Sequence, residues 1–125
     1  MDSYDPMVAP DPREWLATDE GERLMLVEDY HRRKKIRMPN VRAHASFQAI
    51  VENQIAMGSE TPAADKLQKL MREGLDRHEA LHAIASVVTR MFYGVMKNEI
   101  VGDPNLWYAR ELKKLTKKTW QESMG

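Results

Sequence analysis

Cysteine is absent from this 125-residue chain. That excludes disulfides, thiolate catalysis and cysteine-ligated zinc. No apolar run is long enough to span a membrane; the most apolar segment, ALHAIASVVTRMFYGVM, is interrupted by His82 and Arg90. The first residues, MDSYDPMVAPDP, lack the basic start and apolar middle of a signal peptide. The expected compartment is therefore the cytoplasm, with no membrane association. Strand periodicity is missing too: no segment alternates apolar and polar residues for long. There is no internal repeat and no low-complexity tract.

What is present is ordinary globular material, 42% hydrophobic and 30% charged, enough for one core in one domain. The net charge is zero, yet it is unevenly spread. Residues 1–30 hold the acids Asp2, Asp5, Asp11, Glu14, Asp19, Glu20, Glu22, Glu28 and Asp29 against Arg13 and Arg23, and HRRKKIR follows. A helix that starts acidic and ends basic matches its own dipole. The basic run also lacks interleaved aromatics on which bases could stack, so it reads as a helix end rather than a nucleic-acid surface.

Caps and breakers divide the chain into helices. Asp11-Pro12 opens the first, and Asp19 with Glu22 spells a capping box, so that helix breaks near Gly21 and restarts. Asn40 caps VRAHASFQAIVENQIAM, which stops at Gly58. Thr61-Pro62 starts a segment that ends at Gly74. Asp76 caps a helix running to about Lys97, apolar nearly all round through Leu81, Ile84, Val87, Val88, Met91, Phe92 and Val95, and so expected at the centre. After Gly102-Asp103-Pro104, NLWYARELKKLTKKTW reads as one last helix with Leu112 and Leu115 inward. The expectation is an all-α bundle of five to six helices, no sheet, and helix over about 60–70% of residues. Residues 1–10 read as a disordered or extended tail and 11–125 as a single helical domain.

Two clusters carry chemistry. RHEALH, residues 77–82, contains His-Glu-x-x-His, which on a helix points His78 and His82 at one metal and in zinc peptidases makes the intervening glutamate a base. Three features oppose the peptidase reading. Asp76-x-x-Glu79 is equally a capping box. Ala85 and Val88 stand where an extended zinc-peptidase motif needs glycine and histidine. No strand is offered to hold a peptide substrate. Glu79 is a catalytic candidate only if the chain is a hydrolase. The second cluster is the ridge His44, Gln48, Glu52 at i, i+4 and i+8. If that ridge faces His78 and His82, then His44, Glu52, His78 and His82 form a metal site between two helices. Nitrogen and oxygen ligands suit zinc, iron, nickel or manganese, and no organic cofactor is indicated.

The words PNVRAHA, VENQIA and EGLDRHEALHAIASVV, followed by LWYARELKKLTKKTW, also resemble a bacterial family of small helical proteins designated domain of unknown function 1841. The resemblance runs from about Tyr30 to Trp120. It implies an all-helical fold and a candidate site, with no activity attached. In that family the position of Gln48 is often a second histidine; this sequence departs there, which makes Gln48 a neutral oxygen donor at most.

Three functions stay open: a His/Glu metal-binding protein, a non-catalytic helical interaction module with a buried His/Glu network, and a zinc-dependent hydrolase using His-Glu-x-x-His. In the second, Glu52 accepts from His78 or His82, and Arg77 serves as an ion-pair or capping residue. Trp15, Tyr30, Trp107 and Trp120 read as packing groups. Partners, homo-oligomerisation and whether the chain is an enzyme are left open by the sequence.

Overall fold

Helix caps dictate the element boundaries. In the computed structural model, which describes residues 1–36 and 38–124, helix covers 71% and there is no strand among the described residues. Arg37, the end of the basic run, and Gly125, the last residue of the expected domain, lie outside the described residues. Seven α-helices follow in order: α1 Pro12–Ala17, α2 Glu20–Arg33, α3 Val41–Ala56, α4 Ala63–Arg72, α5 Arg77–Met96, α6 Pro104–Lys114 and α7 Lys117–Met124, with a 3-10 turn at Gly58–Glu60. None is long and apolar enough to cross a membrane.

Seven helices stand among the described residues where five to six were expected; the break near Gly21 was foreseen and a second one was not. Thr18 closes α1 in an extended conformation, and the Asp19 carboxylate accepts from Gly21 N at 3.0 Å to begin α2. The break therefore falls before Gly21, and Asp19 uses Gly21 rather than the Glu22 backbone. The second break divides the last segment. Leu115 is extended, and the pair Thr116 and Thr119 exchanges backbone and hydroxyl hydrogen bonds (Thr119 N to Thr116 Oγ1, 3.1 Å; Thr116 N to Thr119 Oγ1, 2.9 Å). This reciprocal cap starts α7.

α5 contacts α3, α4 and α6, as an apolar helix must. Its burial is not uniform. Leu81, Ile84, Val87 and Val88 are enclosed, whereas Phe92, Tyr93, Val95 and Met96 are exposed. Two apolar cores result. One holds Leu67, Leu70, Leu81, Ile84, Val87 and Leu112 around α4, α5 and α6. The other holds Trp15, Val27, Ala45 and Ala49 between α1, α2 and α3, and it includes Tyr4.

The first ten residues carry no helix, yet they are packed. Tyr4 is 3% exposed, its carbonyl accepts from Arg33 Nη2 at 3.3 Å, and the Pro6 carbonyl accepts from Arg77 Nη1 at 2.9 Å. The segment is an extended arm bound to the bundle, not a loose tail.

Candidate functional site

Between the two cores lie all four histidines of the chain. α2 contributes His31, α3 His44, and α5 both His78 and His82. α5 is held at its start by a complete capping box: Asp76 Oδ1 accepts from Glu79 N at 2.8 Å, and Glu79 Oε1 accepts from Asp76 N at 3.2 Å. That cap fixes the first turn, and the spacing of four then stacks His82 above His78 with ring centroids 4.2 Å apart. The His44 ring lies 4.6 Å from His82 and 4.7 Å from His31.

Hydrogen bonding sets the protons. His31 is fully buried, and its Nδ1 lies 2.8 Å from the Val27 carbonyl. A carbonyl only accepts, so Nδ1 carries a hydrogen, and in the neutral ring Nε2 is left with its lone pair. That Nε2 is buried and meets no hydrogen-bonding partner among the described residues, and neither does His78 Nε2. One ring nitrogen from each of His31, His78 and His82 falls within 4.8 Å of the other two. His44 Nε2 lies 3.0 Å from His82 Nε2, so one hydrogen sits between two nitrogens.

Burial, reinforced by the neighbouring imidazoles, disfavours charge on His44, His78 and His82. It pushes His82 down to about 3, with His78, His44 and His31 adding to the effect. His44 falls to about 4 through burial and the nearness of His31 and His78, against a small opposing effect of Gln48. His78 is lowered by burial and His31, although Asp76 and Asp5 pull the other way. At neutral pH these rings are uncharged, the state in which imidazole binds a metal.

Glu52, expected among the ligands, is placed elsewhere. Its carboxylate accepts from Arg77 Nη2 on Oε1 at 2.7 Å and Nη1 on Oε2 at 2.8 Å, and from the Tyr4 hydroxyl on Oε2 at 2.5 Å. Glu52 and Arg77 are 1% and 4% exposed, a buried bidentate pair. The reason is helical rise: eight residues along α3 advance about 12 Å, so the ends of the ridge meet different partners. Gln48 lies between them. Its Nε2 donates to the Tyr4 hydroxyl at 3.1 Å, while its buried Oε1 has no hydrogen-bond partner. Arg77 is an ion-pair residue, as its place in the sequence suggested.

Thus the structure brings together His44, His78 and His82, removes Glu52 to a second cluster, and adds His31, which sequence reasoning missed. A signal for His31 existed. Leu24, Val27 and His31 follow i, i+3, i+7 and share the inward face of α2. Its position at the head of HRRKKIR disguised it as part of a solvated basic end.

A cavity of about 300 Å³ adjoins the cluster, lined by His44, His82, Phe47, Ser86, Thr89 and Trp120 among others. No family model, curated protein or solved structure matches this chain.

Proposed function

We propose that this protein binds a divalent metal ion through His31, His78 and His82, with His44 completing the set. The observation that carries the reading is His31. Its Nδ1–H is committed to a backbone carbonyl, the outer-sphere arrangement common to metal-ligating histidines, and its Nε2 lone pair is buried beside two other imidazoles. Buried ring nitrogens without a partner, as at His31 and His78, are costly, and a cation satisfies several lone pairs at once. An all-imidazole set suits zinc, copper, iron or nickel; manganese, which prefers oxygen, becomes the poorest fit once Glu52 is assigned to Arg77. When bound, such an ion supplies Lewis acidity.

The stretches that resemble the domain 1841 family contain all four histidines: His31 follows Tyr30, PNVRAHA holds His44, and EGLDRHEALHAIASVV holds His78 and His82. We therefore propose membership of that family and extend the metal reading to it.

The hydrolase variant of this reading is weakened by Glu79, which is exposed and engaged at the start of its own helix. The interaction-module reading draws support from a different observation. The Glu52–Arg77–Tyr4 network is satisfied by protein groups alone and locks α3, α5 and the arm together.

Metal analysis by mass spectrometry, on protein carrying no histidine tag, decides between them. Incubation with zinc, copper or nickel followed by desalting should leave close to one ion per chain. His31→Gln and His82→Gln should retain helical circular dichroism and lose the ion. Wild-type protein that retains no more metal than the two variants would overturn the metal reading and leave the module.

A further inference from the structure

The charge of the site poses a problem whose solution lies in the adjoining cavity. A divalent ion held by neutral imidazoles keeps its full charge, because no carboxylate is among the converging ligands. The nearby acids are committed elsewhere. Glu52 is neutralised by Arg77, whereas Asp76, Glu79 and Asp5 keep their charge, which for Asp76 and Asp5 is felt at His78, but are bound to backbone N–H groups and are not among the converging ligands. A double charge with no carboxylate in contact with it is only partly compensated by these more distant acids, and the bound ion itself is the largest local charge. An anion from outside restores the balance.

We propose that the metal-loaded site takes such an anion through the cavity beside His44 and His82, and that the class it fits is a small carboxylate with an apolar body. This rests on the metal reading above. The cavity lies between α3, α5 and α7, and no lysine or arginine lines it. Its hydroxyls already donate inward, Ser86 Oγ to the Ala83 carbonyl at 2.7 Å and Thr89 Oγ1 to the Ala85 carbonyl at 2.8 Å. Without the ion no charged group is among the lining residues, and the Trp120 indole N–H, which has no hydrogen-bond partner among the described residues, is a neutral donor, so tight anion binding depends on metal. Phe47 and Trp120 supply apolar walls that favour a hydrocarbon group over a strongly hydrated anion such as sulfate. At about 300 Å³ the space suits a molecule the size of benzoate, not a peptide.

Cobalt(II) serves as the probe, since its visible absorption responds to a change of ligand. Untagged protein loaded with cobalt is titrated with benzoate, acetate and sulfate. Benzoate should shift the band at a concentration roughly tenfold below acetate, from burial of its ring, and sulfate should act weakest. Ser86→Phe and Thr89→Met fill the cavity without altering an imidazole. Either should keep the cobalt band and weaken the benzoate response at least tenfold. Metal-free protein should show no benzoate binding by calorimetry. A cobalt band unmoved by benzoate and acetate overturns the proposal while leaving the metal site intact, as does an undiminished response in both variants. Absence of any cobalt band in the wild type overturns the metal reading and this proposal together.

Discussion

The Val27 carbonyl decides what His31 can do. Because it holds the Nδ1 hydrogen, the lone pair on Nε2 is permanently directed away from α2's own backbone. Nitrogen-15 NMR of metal-free protein should show His31 as the neutral Nδ1–H tautomer; a dominant Nε2–H form would remove the basis of the metal reading. Substituting His31→Leu keeps side-chain bulk and removes the unpaired nitrogen. In chelator the variant should stay within about 1 kcal/mol of wild type by thermal unfolding, since deleting an unsatisfied polar group offsets the lost hydrogen bond. Added metal should then stabilise wild type alone. Glu79→Gln, by contrast, should cost less than about 1 kcal/mol, because glutamine also serves in a capping box, and should leave metal content unchanged. At this scale the sequence revealed the residues whose partners are local. His78 and His82 pair through one helical turn, and Asp76 with Glu79 through one cap. Glu52 and His31 were misassigned or missed because their partners, Arg77 and the α5 histidines, are far along the chain, and spacing cannot say which ridge faces which helix.

Elements were more legible than contacts. Asp11, Asn40 and Asp76 each cap the helix they were expected to start, and Gly74, with φ of 112°, follows α4 where only glycine is comfortable. The unread break at Leu115–Thr116 carries a threonine pair whose capping is weaker than that of Asp or Asn, and Leu112 and Leu115 kept an inward pattern across it. α5 is central, as expected, yet Phe92, Tyr93, Val95 and Met96 near its end are exposed, because composition reports apolarity and not what covers it. The α3–α5 pairing also predicts an asymmetry. Arg77→Met leaves the Glu52 carboxylate buried with only Tyr4 beside it and should cost roughly 3–5 kcal/mol in urea unfolding. Replacing both residues with apolar ones of similar volume should recover much of that loss. A double variant as unstable as Arg77→Met would mean the pair contributes net stability rather than register.

For the whole molecule, acid is the vulnerable direction. His44, His78 and His82 have folded pKa values below the ordinary 6.5, so below that pH the unfolded chain binds protons that the folded chain refuses. Stability should fall as pH drops from about 6.5 toward 4, where His44 titrates, and on toward 3 for His82. Urea midpoints measured at pH 7.5, 5.5 and 4.5 should decrease in that order; a flat profile would mean the rings are solvated and chargeable. Tyr4, raised by burial and by the Glu52 charge, gives the opposite edge: above about pH 10 the unfolded chain loses its phenolic proton first, and stability declines again. The same tyrosine is tied to the ridge of α3, since its hydroxyl touches Glu52 at one end and Gln48 in the middle, one turn from His44. The N-terminal arm and the histidine cluster thus grip a common helix from opposite ends, and whatever steadies one reduces the freedom lost in settling the other. Such coupling must be mutual. Protease cutting at the exposed Met7–Val8 link should slow when metal is added, and a chain shortened by its first six residues should bind metal more weakly by a matching factor. Ten residues without a helix would then act as a reporter, at the surface, of whether the buried imidazoles are filled.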